Sequence, residues 1–210
     1  MKKYIIAVHA QKQVGKTTFA KCIRRRYGNF VRIFSFADRV REVANVLGFP
    51  SDAIHDGSLK ETYIHPSLGV SYRTFAQKFA GDFIRHKFNE NFWVQLLLDD
   101  LDNMYSKYED PNSQGIAVID DMRYENELFF IKNHQYAFDC EVIPLKIKRE
   151  EFTIMDNHAS ERGIDDEHFA RVIHNHGDWR QYQNAIETFC SVLEAKFPDV
   201  VTMQEEYQAD

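Results

Sequence analysis

The chain has 210 residues, 44% hydrophobic and 28% charged, the proportions of a soluble globular protein rather than of a disordered, collagen-like or fibrous one. At this length roughly 70% of the unfolded chain's surface can be buried, so the three cysteines, which show no paired spacing, argue for a reducing compartment and against a disulfide framework or a zinc site. The net charge of −6 disfavours a general nucleic-acid binder, and no run approaches the roughly 18 uncharged apolar residues of a membrane helix.

Met1 to His9 carry a short apolar run with no cleavage site, which reads as a buried strand over Lys3 to Val8 rather than as a signal peptide. Lys16 to Tyr27 is helical, with Phe19, Cys22 and Ile23 at helix spacing, and Gly28-Asn29 stops it. Val31 to Phe36 reads as a second strand and Ala37 to Leu47 as a second helix. Gly48 to about Leu68, with Pro50, Gly57 and Pro66, is the longest stretch without periodicity, and such loops are often functional. Ser71 is placed to cap a long helix to Phe88, in which Phe75, Phe79 and Phe83 form an expected core stripe; a further helix runs from Phe92 to Tyr105.

After a loop at Pro111 to Gly115, the continuous apolar run Ile116 to Ile119 fits a parallel strand covered on both faces and ends in Asp120-Asp121. Asn126 to His134 is helical, Val142 to Ile147 a strand, and Arg149 to Asp166 polar and irregular. Ala170 to Ile173 is a last short strand, Asp178 to Phe197 a closing helix, and Val200 to Asp210 a frayed or docked tail. Strands alternating with helices argue for an α/β fold, a parallel sheet flanked by helices. In that architecture chemistry gathers at the carboxyl ends of the strands.

There, after the first strand, stands Ala10-Gln11-Lys12-Gln13-Val14-Gly15-Lys16-Thr17-Thr18. It follows the phosphate-loop pattern G-x-x-x-x-G-K-[ST] with Ala10 at the first glycine. Backbone N–H groups and the positive end of a helix suit a phosphate. Gly15 lets the backbone approach, Lys16 suits the β- and γ-phosphates, and the Thr17 hydroxyl suits Mg²⁺. A carboxylate at Asp120 or Asp121 can serve the same metal or orient the attacking oxygen, and strand alternation does not decide between them because the strand ends there.

Arginine offers a permanently charged, planar fork to phosphate oxygens. Arg73, Gln77, Gly81 and Arg85 recur every four residues, a polar row on one helix face. Arg73 and Arg85 lie about 18 Å apart at the α-helical rise, so they converge through long side chains or serve different groups. Arg123 follows Asp121 by two residues; Arg149 and Arg162 sit in the polar insert and are candidate lid arginines that exclude water.

Together these residues resemble the nucleoside monophosphate kinases, and more narrowly the deoxynucleoside monophosphate kinases of bacteriophages and some bacteria. The resemblance runs from Tyr4 to Phe189. It is carried by Ala10…Gly15-Lys16-Thr17, Phe36-Ala37-Asp38…Arg41, Arg73-Thr74-Phe75-Ala76-Gln77…Gly81…Arg85, Asp121-Met122-Arg123-Tyr124-Glu125-Asn126-Glu127, His158-Ala159-Ser160-Glu161 and Val172-Ile173-His174-Asn175-His176-Gly177. It implies a P-loop kinase core (1–47, 107–148 and 169–198), a monophosphate-binding helical insert (about 48–106) and a short lid (about 149–168). The implied reaction moves the γ-phosphoryl group of ATP, with Mg²⁺, to a deoxynucleoside 5′-monophosphate.

On this resemblance the donor set is Gln13, Val14, Gly15, Lys16, Thr17, Thr18 and Arg149. The acceptor set is Phe36, Asp38, Arg41, Arg73, Gln77, Arg85, Asn126 and Glu127, with Arg73 on the acceptor's phosphate and Gln77 facing its base. Lys16, Arg73, Arg85, Asp121, Arg123 and Arg162 form the catalytic set, and Thr17 and Asp121 the metal ligands, Asp121 being preferred to Asp120. Two departures stand out: Ala10 replaces the usual first Gly, and Arg41 stands where the family more often has Lys. Small-molecule nucleotides are the expected partners, with no nucleic acid or membrane; related enzymes are often homodimers. The cytoplasm, a host's if the chain is phage-encoded, is the expected compartment. Two alternatives remain at this point: a P-loop kinase for a nucleoside or phosphorylated metabolite, and a nucleotide-binding protein without turnover. His174 and His176 share an expected strand face, but no third metal ligand is in register.

Overall fold

The computed structural model describes residues 3–107, 115–149 and 163–198. Five strands form one sheet in the order β2-β3-β1-β4-β5: β1 (Lys3–His9), β2 (Val31–Phe34), β3 (Ile116–Met122), β4 (Cys140–Lys148) and β5 (Arg171–His174). Every pairing is parallel. Parallel strands need crossover helices, so both faces are covered and the central strand is apolar at nearly every position. In β1, Tyr4 to Val8 are fully buried. Of these, Tyr4, Ile6 and Val8 pack with Phe19, Ile23 and Tyr27 of α1 (Lys16–Tyr27), and with Tyr182, Ile186, Phe189 and Leu193 of α8 (Trp179–Lys196).

The chain leaves β1 toward β2 on one side and later fills β4 on the other. The carboxyl end of β1 is therefore a topological switch point, where such sheets leave a crevice.

The chain divides into two compact units, Met1–Ser35 with Leu98–Asp210, and Phe36–Leu97. The second holds α2 (Asp38–Val46), α3 (Ser51–His55), α4 (Leu59–Thr62) and α5 (Tyr72–Ala76), with a π-helical stretch at Gln77–Phe88. α6 (Phe92–Lys107) begins in it and ends in the first; α7 (Glu125–Phe138) belongs to the first. The second unit has its own core of Ala44, Phe49, Ile54 and Tyr72, onto which Tyr63 and Phe75 pack.

Three expectations are corrected here. The stretch from Gly48 to Leu68 is not irregular throughout, since α3 and α4 lie in it. Each is too short to show a periodic pattern. The helix expected from Ser71 to Phe88 starts as foreseen, with the Ser71 hydroxyl accepting from the Thr74 N–H at 3.2 Å. From Gln77, however, it widens into a π-helix, whose i→i−5 bonding survives at its exit in Asn89 N–H to Ile84 O, 3.1 Å. The Phe stripe accordingly stops early. Phe75 and Phe79 stack at 5.3 Å, but Phe83 is 51% exposed and leans on Phe88. The buried positions of the π-helix are Gly81 and Arg85, from the polar row.

Candidate functional site

Between β1 and α1 the backbone turns through Gln13, with φ 63°, and Gly15, with φ 111°. Gly15 is the N-cap of α1 and no side chain caps that end. The helix thus presents its first N–H groups and its positive dipole end together. Thr17 and Thr18 are exposed on the first turn. The Lys16 ammonium lies back along the loop, donating to the Ala10 carbonyl at 2.5 Å and the Gln11 carbonyl at 2.6 Å. Ala10 keeps a negative φ and is buried in the main core cluster, so its methyl adds apolar packing where no left-handed conformation is needed.

Beside this loop, β3 runs three residues past Ile119, to Met122. Ala7 pairs with Ile119, but His9 pairs with Met122. Asp120 and Asp121 together therefore stand opposite Val8, a bulge of the kind that re-aims side chains near functional sites. Asp121 accepts from the hydroxyl of Ser35, just beyond β2, at 2.5 Å. Arg123 follows, its backbone N–H donating to the Glu127 carboxylate at 2.8 Å; the Tyr124 N–H donates to the same oxygen at 3.1 Å. Glu127 is 2% exposed and its carboxylate caps the entry to α7. Asn126, next to it, is half-buried.

His9 closes the floor. It is 2% exposed, with Nδ1–H donating to the Met122 carbonyl at 3.0 Å and Nε2 accepting from the Ile164 N–H at 3.3 Å. Burial, with Lys146, Lys16 and Arg123 adding to it, pushes the imidazole down to about 4 against the opposing pull of the Met122 carbonyl. It is a neutral brace, not an acid or base for neutral pH. Lys146 and Lys148 both pair with Asp166 and hold its carboxyl down at about 2, so the chain from Ile164 to Asp166 is tied to the end of β4.

The loop's carbonyls are held by residues from the end of β5 and from α8. Asn175, just past β5, donates through Nδ2 to Val14 O at 2.8 Å and accepts the Gly177 N–H at 3.0 Å. Tyr182 of α8 donates its hydroxyl to Gly15 O at 3.0 Å. Arg149, at the end of β4, lies against Gly177: a Cβ there would come within 2.8 Å of its guanidinium.

The first unit therefore gathers Gln13 to Thr18, Asp121, Arg123, Asn126, Glu127 and Arg149 at strand ends. The second carries Phe36, Asp38, Arg41, Arg73, Gln77 and Arg85. Within it Arg41 pairs with Asp38, the Arg73 Nε lies 3.0 Å from the Glu61 carboxylate, and Arg85 is 9% exposed. Gln77 is half-buried at the start of the π-helix. Arg162, with residues 150–162 of the expected lid, lies outside the described residues.

Sequence reasoning missed His9, Ser35, Asn175 and Tyr182. The first three share a signal, each being a polar residue at the carboxyl end of a buried parallel strand. Tyr182 has no local signal; only the fold brings it to Gly15. Among the described residues no helix is long and apolar enough to cross a membrane, and no three metal-ligating side chains cluster.

The tunicamycin resistance protein of Deinococcus radiodurans is similar over 91% of this chain and 96% of its own, with 15% identity and a TM-score of 0.48. No curated protein matches the chain. A family model does, that of the deoxynucleotide monophosphate kinases, over residues 48–186. That stretch starts beyond the phosphate loop, so the loop is a separate observation pointing the same way. Matched over more than half its length, the chain belongs to the deoxynucleotide monophosphate kinase family, enzymes that move the γ-phosphoryl group of ATP onto a deoxynucleoside monophosphate.

Proposed function

We propose that the loop from Ala10 to Thr18 takes the ATP polyphosphate, with Gln13 to Thr18 and Arg149 as the donor set, and that the Phe36–Leu97 unit takes the monophosphate. Arg73 holds the acceptor's phosphate and Gln77 faces its base. Phe36, Asp38, Arg41 and Arg85 complete that side, together with Asn126 and the buried cap Glu127. Arg123 and the lid's Arg162 neutralise the phosphoryl group in flight. The acceptor's phosphate oxygen is already ionised, so no general base is required, and catalysis is positioning plus charge stabilisation.

The donor chemistry of the site fits Mg²⁺. The Thr17 hydroxyl is exposed at the head of α1, and Asp121 offers a carboxylate at the neighbouring strand end; both are hard oxygen ligands. Bound there, the ion would offset the charge on the phosphate oxygens. We place the reaction in the cytoplasm, a host's for a phage-encoded chain, with nucleotides as the partners and a homodimer as the expected assembly.

The observation that carries this reading is Gly15 in its left-handed conformation at the uncapped start of α1. It makes a backbone nest for an anion where the fold leaves its crevice. The test is ADP release from ATP and Mg²⁺ with each common deoxynucleoside and nucleoside monophosphate in turn. Stimulation by at least one deoxynucleoside monophosphate, lost in Lys16→Ala, is expected; ADP release that no monophosphate raises would overturn it.

A further inference from the structure

We propose that Asn175 and Tyr182 are positioning residues for the phosphate loop: they act through its carbonyls to aim its N–H groups at the donor's phosphates. This rests on the loop's reading as the donor site. In a trans peptide the carbonyl and the N–H of one plane point in opposite directions. The Val14 carbonyl shares its plane with the Gly15 N–H, and the Gly15 carbonyl with the Lys16 N–H. Asn175 holds the first carbonyl at 2.8 Å and Tyr182 the second at 3.0 Å. Fixing both carbonyls on the protein side turns both N–H groups away from it.

The geometry is determined from several sides. A carbonyl demands a donor and an N–H an acceptor, so Val14 O and Gly177 N together fix which end of the Asn175 amide faces the loop. The backbone N–H of Asn175 is itself anchored to Lys148 O at 2.7 Å. The Gly15 carbonyl also accepts from the Phe19 N–H at 2.9 Å, so Tyr182 ties the loop and the first turn of α1 as one piece. Both side chains approach so closely that a Cβ on Gly15 would lie 3.0 Å from Asn175 Nδ2 and from the Tyr182 ring. A loop held this way does not have to be ordered by its ligand, and donors fixed in advance contribute more than donors that must reorganise.

The experiment uses the full chain with Asn175→Asp, Tyr182→Phe and Lys16→Ala, and inorganic tripolyphosphate and ATP as calorimetric probes. Asn175→Asp keeps the shape but faces the Val14 carbonyl with an acceptor; Tyr182→Phe keeps the ring and loses only the donor. The expected result is a five- to tenfold weaker affinity for both probes in Tyr182→Phe and a larger loss in Asn175→Asp. KM for ATP should rise while KM for the monophosphate stays within twofold, with Tyr182→Phe melting close to the parent. A merely structural role predicts instead that both KM values and the melting temperature move together, and that result overturns the proposal. So does unchanged probe affinity in Tyr182→Phe, even if Asn175→Asp fails to fold. Should Lys16→Ala also bind both probes like the parent, the donor-site reading falls and the proposal with it; if Lys16 matters and the two braces do not, only the positioning role falls.

Discussion

At Gly15 conformation and contact coincide. A left-handed φ of 111° admits a side chain only with strain, and the space a methyl would need is taken by Asn175 and Tyr182. Gly15→Ala is therefore expected to lose ATP affinity at least tenfold and to lower stability by about 1–3 kcal/mol. Titration with ATP and a thermal melt check both, and an intact affinity would show that the loop does not need this backbone. Arg73 makes a different kind of argument. Its guanidinium already faces the Glu61 carboxylate, a charge partner that on the proposed reading the acceptor's phosphate would displace. Truncation to Ala removes a charge-assisted contact of about 1.5–3 kcal/mol. KM for the monophosphate should rise roughly 10- to 100-fold, while KM for ATP stays within about twofold. If ATP binding alone suffers, Arg73 belongs to the donor.

Among the elements, α1 must hold its start in register with β1, and part of that constraint sits at its far end. Arg26 grips Glu194 of α8 through Nε at 2.7 Å and Nη2 at 3.0 Å, and the Tyr27 hydroxyl donates to the same carboxylate at 2.9 Å. The paired cation and hydroxyl hold Glu194 below the usual carboxylate range, while burial pushes the Tyr27 phenol up. Glu194→Ala takes the carboxylate acceptor from that phenol and should cost about 1–3 kcal/mol in urea denaturation, with Glu194→Gln, which keeps an oxygen acceptor, costing less; equal losses would mean that packing alone is at stake. Nothing in the local sequence announces this staple, since its partners lie in two helices far apart in the chain. What is legible locally is what periodicity and strand-end position encode: β1, the phosphate loop, α1, and the acid at the end of β3. The bulge that sets Asp120 and Asp121 opposite Val8 is not legible, because it is a property of the pairing between β1 and β3. Nor is the π-helix, where Gly81 and Arg85 are buried and Phe83 is left outside. Hydrophobicity alone ranks those residues in the reverse order, and backbone geometry overrides it.

For the molecule as a whole, the carboxyl ends of β1 and β3 and the chain returning at Ile164 meet on one buried imidazole. His9 can donate to Met122 and accept from Ile164 only while it carries a single proton. A second proton would be taken up where burial and three neighbouring cations oppose it. The folded state therefore binds it near pH 4, the unfolded chain near 6.5. Between those values the unfolded chain carries more protons, so stability rises with pH. The contribution is complete above about pH 7 and fades as pH falls through 6.5 toward 4. Two and a half pH units of separation imply a loss of about 2 kcal/mol from this group between pH 7 and pH 5. Asp166, held near 2, adds its own loss only below about pH 4, so the two are separable on the pH axis. Urea denaturation of the parent and of His9→Asn at pH 7 and pH 5 isolates the first. The parent should lose about 2 kcal/mol more than the variant between the two pH values, because the variant has no ring to protonate. Equal losses would mean that the imidazole takes up its proton in the folded protein as readily as in the unfolded chain, and that the junction beneath the phosphate loop is held together without it.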